Sequence, residues 1–239
     1  MSALVILYAI ETLATLTLLL PLWQARQRWA TLSTAQKLFT AYIGFEVLIE
    51  VISFTIGRFG KTNIWVPHLG VPVETMIIVF AFGAWQVDHA TRVFLQRVAP
   101  AMLLFWVPPL VGWVPFNANG VGTEWIQAIL CLAIAAYTMV RRFFEDSGPA
   151  VEHAWFWIGA GVMLYYATFA LMMPLVGYFV RISPDTAVAM LTVNGGLQVF
   201  VNILFYHGMQ CPISQGNYGS SSLQPRVWLP FSSSRSRLP

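Results

Sequence analysis

Seven apolar runs alternate with short polar connections along the chain. Each run is close to the length a helix needs to cross a bilayer, about 20 residues. The pattern predicts helices at about 2–23, 38–57, 65–86, 98–116, 124–140, 154–180 and 186–209, which together form one transmembrane domain over 1–209. The fold class expected is all-α, a polytopic membrane protein. Residues 210–239 are rich in Ser, Pro and Gly and read as a flexible tail. The first run has no basic residue before it and no cleavage signature after it, so it is expected to stay as a helix and not to act as a signal peptide.

Prolines mark the irregular places. Pro67 falls in the first turn of the third run, where its missing N–H costs nothing. Pro72 lies one turn deeper and is expected to bend the helix. Pro108, Pro109 and Pro115 interrupt the fourth run, which is either kinked or re-entrant. Asp185 is expected to cap the seventh helix.

Orientation follows from the basic residues. Connections one, three and five hold Arg26, Arg28, Lys37, Arg92, Arg97, Arg141 and Arg142, and the tail adds Arg226, Arg235 and Arg237. The other connections hold Arg58, Lys61 and Arg181. The positive-inside rule then places the N-terminus outside and the C-terminus in the cytoplasm. Composition agrees with a membrane solvent: 57% of residues are hydrophobic and 10% charged, against about 25% charged in soluble domains. The net charge of +3 is small. The basic residues read as topology signals, not as a nucleic-acid surface. Cys131 and Cys211 make no disulfide framework.

Against this background the acids stand out. Glu11, Glu46, Glu50 and Glu74 fall within predicted crossings, with no Lys or Arg inside any crossing to pair with them. A carboxylate at the bilayer centre costs about 2.5–3.5 kcal/mol on insertion scales. Glu46 and Glu50 share one face of the second helix. Asn194, Gln198 and Asn202 recur every fourth residue on the seventh. Tyr165, Tyr166 and Gln127 are able to reach inward. Depth permits one polar core among these groups. The expected ligand-binding or proton-handling residues are Glu46, Glu50, Glu74, His68, Asn194 and Gln198. The bland alternative is that the amides join helices, at about 0.6 kcal/mol per contact. Glu124 opens the fifth helix, where a carboxylate is favoured.

His89, His153 and His207 fall near the inner interface, with Asp88 and Glu152 beside two of them; three histidines and a carboxylate hold zinc in hydrolytic sites. Seven-helix lipid amidohydrolases use chemistry of that general kind, but with a histidine pair four apart on the last helix, which this chain lacks. No metal site is therefore expected. The last helix has no lysine for a retinal Schiff base, and no CxxCH segment offers covalent haem attachment. The cofactor is left unknown.

The segment from Asn63 to Glu74 resembles a signature of small bacterial seven-helix membrane proteins: Asn63, Trp65, His68, then Glu74 near the start of the third helix, preceded by Glu46 or Glu50. The resemblance covers helices two and three and brings no settled activity. It implies a cell-membrane location, in bacteria the inner membrane. Some such modules are ligand-sensing inputs of signalling proteins. No output domain follows the seventh helix here, so a sensor needs a separate membrane or signalling partner.

Three classes of function remain. The leading expectation is a non-enzymatic membrane module that binds a small or lipophilic ligand or serves as an accessory subunit. A proton-coupled solute transporter using the buried glutamates is the second. An intramembrane hydrolase, using the inner histidines or a Glu74–His68 pair, is the third. Partners expected are membrane lipids and no nucleic acid, with a homodimer open.

Overall fold

The computed structural model describes residues 3–59, 65–107, 111, 123–146 and 148–212. Asn63, most of 108–122 and the tail from 213 lie outside the described residues, and with them the first residue of the signature, the continuity of the fourth run and the expected flexible tail. The described residues are all helical apart from short turns and contain no strand. The helices are α1 (Ala3–Thr17), α2 (Leu19–Gln27), α3 (Thr34–Arg58), α4 (Trp65–Ala84), α5 (His89–Val98), α6 (Thr123–Glu145), α7 (Ala154–Ile182) and α8 (Pro184–Gln210). Five stretches are long and apolar enough to cross a membrane: Val5–Gln27, Thr34–Arg58, Glu124–Glu145, Ala154–Ile182 and Pro184–Gln210. The fold is that of a helical membrane protein.

The first predicted helix is broken at Leu18, between α1 and α2. Pro21 has no N–H to give to the carbonyl four residues back. The Leu18 N–H turns to the Thr15 carbonyl at 3.2 Å. The Ala14 carbonyl it leaves accepts instead from the Thr17 hydroxyl at 2.7 Å and from the Asn202 amide at 2.9 Å. The break is thus closed by a side chain from α8.

α3 begins four residues before its predicted start. Ser33 and Gln36 form a capping box: the Gln36 N–H donates to Ser33 Oγ at 3.2 Å, and the Ser33 N–H donates to Gln36 Oε1 at 2.9 Å. Ser33-Thr34-Ala35-Gln36 carries that signature in the sequence. Gln36 also donates through Nε2 to the carbonyls of Gly208 and Cys211 at 3.0 and 3.3 Å. Arg28 donates to the carbonyls of Met209 and Gln210. One end of α8, where carbonyls lack helical partners, is held by a basic and an amide side chain from the first connection.

The seventh predicted helix starts at Pro184, with Ser183 and not Asp185 at its N-cap. Asp185 lies in the first turn, and the Ser183 hydroxyl meets the Thr186 hydroxyl at 2.8 Å.

The fourth predicted helix differs most. Its helical start is His89, not Val98. Asp88 caps it, accepting from the Thr91 N–H at 2.8 Å and the Thr91 hydroxyl at 2.6 Å. These bonds hold the Asp88 carboxyl below its ordinary range. At Ala99, next to Pro100, the chain tightens into a 3-10 helix, Ala99–Trp106. The charges on α5 made it look like a connection. It is an amphipathic helix that buries Leu95 against Gly83 of α4.

Six rods form a ring: α1 with α2, then α3, α4, α6, α7 and α8, which returns to α1 and α2. Phe39, Ile43, Phe82, Ile158, Val162 and Phe205 fill its centre. The α7–α8 seam is the closest. A Cβ on Gly161 would lie 2.5 Å from Phe205 Cε1, and one on Gly208 would lie 2.5 Å from Ile158 Cγ1. Small residues at such contacts let membrane helices approach. α5 and the 3-10 segment pack on the outside of α4.

Candidate functional site

The acids expected in one polar core occupy two compartments. The first is a cavity of about 910 Å³ between α1, α3 and α8, with α7 at its edge. Glu11 and Glu50 line it, and Asn194 and Gln198 face them from α8. Thr12 and Thr15 add hydroxyls, but each already donates to a carbonyl of its own helix, Tyr8 at 2.7 Å and Glu11 at 3.1 Å. Leu16, Phe54 and Met173 supply apolar wall. Arg58 stands at the end of α3, over the Phe54 ring at 5.8 Å.

The polar stripe of α8 is divided between the cavity and a helix joint. Asn194, Gln198 and Asn202 share a face at helical spacing. Asn202 is buried, and its Nδ2 donates to the Ala14 carbonyl and the Thr17 hydroxyl, both at 2.9 Å. That residue joins helices. Gln198 and Asn194 lie one and two turns farther along and line the cavity, with α1 still close to α8 at Gly195, where a Cβ would lie 2.8 Å from Ile10 Cγ2.

The second compartment is buried between α4, α6 and α7. Glu74 is 8% exposed, and its Oε2 accepts from Gln127 Nε2 at 3.3 Å. The same amide reaches Tyr166 Oη at 3.3 Å. Glu74 folds back over Gly70, where a Cβ would lie 2.6 Å from its Oε1. Gly70 is therefore required for this carboxylate position. Glu46, half-buried on α3, joins the two compartments. It hydrogen-bonds Tyr42 one turn back and lies within electrostatic reach of Glu50 on its own helix and of Glu74 across the α3–α4 contact. Glu50 is in turn within reach of Glu11. Each of the four glutamates thus lies within electrostatic reach of the next, from Glu11 and Glu50 in the cavity through Glu46 to Glu74.

His68 takes a different partner from the one expected. Its Nδ1 lies 4.0 Å from Glu124 Oε1. Glu74 faces Gln127, and no hydrogen bond or ion pair between Glu74 and His68 is found among the described residues. Glu124 serves its helix start and also faces His68. Tyr42 and this role of Glu124 were not evident in the sequence. Tyr42–Glu46 at four residues and Glu124–Gln127 at three were the available signals.

The inner histidines keep separate surroundings. His89 is exposed on α5, His153 stacks on Trp155 at 5.8 Å, and His207 lies against Trp157 at 5.2 Å. Among the described residues no three His, Cys, Asp or Glu side chains gather as a metal site requires.

No protein-family model, curated protein or solved structure matches the chain.

Proposed function

We propose that the protein is a non-enzymatic membrane module that binds a small amphiphile with a cationic or hydrogen-bond-donating head. The head sits among Glu11, Glu50, Asn194 and Gln198; the apolar body lies along Leu16, Phe54 and Met173. One observation carries the reading: two carboxylates and two amides from three helices converge on a single cavity of about 910 Å³, a volume typical of small-molecule sites, about 300–1,000 Å³. Carboxylates in an apolar solvent are costly unless paired, and a cationic head supplies the pair. Titration of reconstituted protein with decylamine, decanol and decanoate tests it. The amine should bind tightest and the carboxylate weakest, and Glu50→Gln should weaken the amine by about tenfold or more. Equal binding of all three, or amine binding unchanged in a Glu11→Gln, Glu50→Gln double variant, ends the proposal.

A second reading, proton-coupled transport, is favoured by the succession Glu11, Glu50, Glu46 and Glu74. It requires that a pH gradient drive amine flux in vesicles and that Glu46→Gln stop the flux while leaving binding intact.

The chain crosses the membrane seven times in this proposal, with the N-terminus outside and the C-terminus in the cytoplasm. The end of α4 lies beside the end of α6, where Ala84 and Arg142 line one pocket. The start of α6 lies beside the start of α4, where Glu124 meets His68. The chain must therefore run the length of the bundle between them. Ten residues of α5 and eight of the 3-10 segment cover about 15 and 16 Å respectively, close to the hydrocarbon thickness of about 30 Å. Trp106 Nε1 then donates to the Leu69 carbonyl at 3.2 Å, near the start of α4. Cysteines placed at His89 and Asn119, on either side of this segment, should label from opposite faces of intact cells; labelling from the same face would remove the fourth crossing.

A further inference from the structure

At the end of the bundle away from the acidic cavity lies a pocket of about 250 Å³. It opens between the starts of α3 and α7 and the ends of α4 and α6. Arg92, Arg142, Asp146, His153 and Trp155 line it. The carboxylate among them is already engaged. Arg142 Nη1 donates to Asp146 Oδ1 at 2.9 Å, and Trp155 Nε1 donates to Oδ2 at 2.6 Å. Arg92 gives Nε and Nη2 to the Gln86 carbonyl at 3.1 and 2.7 Å. A guanidinium carries five N–H donors, so donors remain.

His153 is the telling residue. It is 9% exposed and stacked on the Trp155 ring. Its Nε2 is buried and has no hydrogen-bond partner among the described residues. Buried polar atoms are nearly always paired, and an exception calls for a missing partner. His153 is also the N-cap of α7, with no side-chain bond capping the helix. Helix starts carry N–H groups and a positive dipole end that favour anions. Two guanidiniums, an imidazole and an uncapped helix start thus surround one carboxylate that is already paired. The surplus is positive. The volume falls just below the drug-sized range of about 300–1,000 Å³, which suits a phosphoryl group with a small substituent.

We infer that this pocket binds a phosphate-type oxyanion, held by Arg92, by His153 Nε2 and by the first N–H groups of α7. The anion is either free phosphate or a phosphomonoester, or the headgroup phosphate of a lipid on the side where the basic connections lie; the chemistry of recognition is shared. The site is independent of the acidic cavity and of the ligand proposed for it.

The test uses the full chain in nanodiscs of phosphatidylcholine, titrated with inorganic phosphate at constant ionic strength against chloride. Trp85 and Trp155 line the pocket, so tryptophan fluorescence reads occupancy, and phosphorus NMR line broadening reads it a second way. Saturable binding is expected, weakened about tenfold or more in Arg92→Gln and in His153→Phe, which keeps a ring against Trp155 but removes the donor. Arg97→Gln, on the same helix but outside the pocket lining, should bind as the native chain does. Arg92 also ties α5 to Gln86, so if Arg92→Gln does not fold, His153→Phe decides alone. A second arm uses discs containing phosphatidic acid without free phosphate. Phosphatidic acid retained by the native chain in intact-mass measurement, lost in His153→Phe and blocking added phosphate, identifies a lipid headgroup. Saturation in phosphatidylcholine discs identifies a free anion. No saturable response in either arm, or one that is unchanged in His153→Phe, overturns the inference.

Discussion

Asn202 and the pair Asn194 and Gln198 lie on one face of α8 at the same spacing, yet their surroundings differ in kind. At Asn202 the broken first helix presses against α8 and absorbs both donors of the amide. One and two turns away the same face borders a cavity shared with two carboxylates. The closed region is held by satisfied polar contacts and by glycines that admit Phe205 and Ile158. The open region keeps two amides near two acids, with Arg58 at the end of α3 as the cation lining the same cavity. A polar stripe in a membrane helix is therefore joint or site according to whether a neighbour arrives with a complementary group.

Gly208→Val forces branched atoms into Ile158 across the tightest seam and should cost about 1–3 kcal/mol, measured by reversible unfolding in mixed micelles. Retention of full stability would mean that the seam is looser than its distances imply. Asn202→Leu leaves the Ala14 carbonyl without its α8 donor and should cost about 1–2 kcal/mol. The same assay on Asn194→Ala and Gln198→Ala should show changes within about 0.5 kcal/mol, with the loss falling on decylamine binding. A stability loss at Gln198 as large as that at Asn202 would erase the distinction between the two regions.

Gly70→Ala puts a methyl 2.6 Å from Glu74 Oε1, so the carboxylate must leave its present position. The expected result is a changed infrared carboxyl band for Glu74 with α4 still folded; an unchanged band would mean that Glu74 does not lie over Gly70. The smallest effect concerns Asp88. Its folded carboxyl is held below the ordinary range by Thr91, so its contribution is present above the unfolded carboxylate value and is lost as pH falls through the depressed folded value. Hydrogen exchange at the start of α5 should accelerate only at that acid end, and Asp88→Ala should exchange fast at every pH.

Much of this was legible in the chain. The all-helical membrane class and the approximate position of five long apolar helices followed from apolar runs, because a bilayer imposes a length that periodicity and composition express directly. Helix starts were less legible where charge misled. The connections before α3 and within α5 carry Lys37, Arg92 and Arg97, yet Ser33 and Asp88 begin helices there. The side-chain caps at Ser33 and Asp88 start these helices despite the nearby charges.

By itself the sequence determined an all-helical membrane chain with acids inside its crossings, since both depend on residue type and linear spacing. Only the tertiary structure decided that Glu11 and Glu50 share a cavity with Asn194 and Gln198, that Glu74 meets Gln127 and not His68, and that Asn202 closes a helix break. These depend on helix rotation and on which neighbour each face meets. Contacts between side chains on different helices set those quantities, and no spacing within one helix records them.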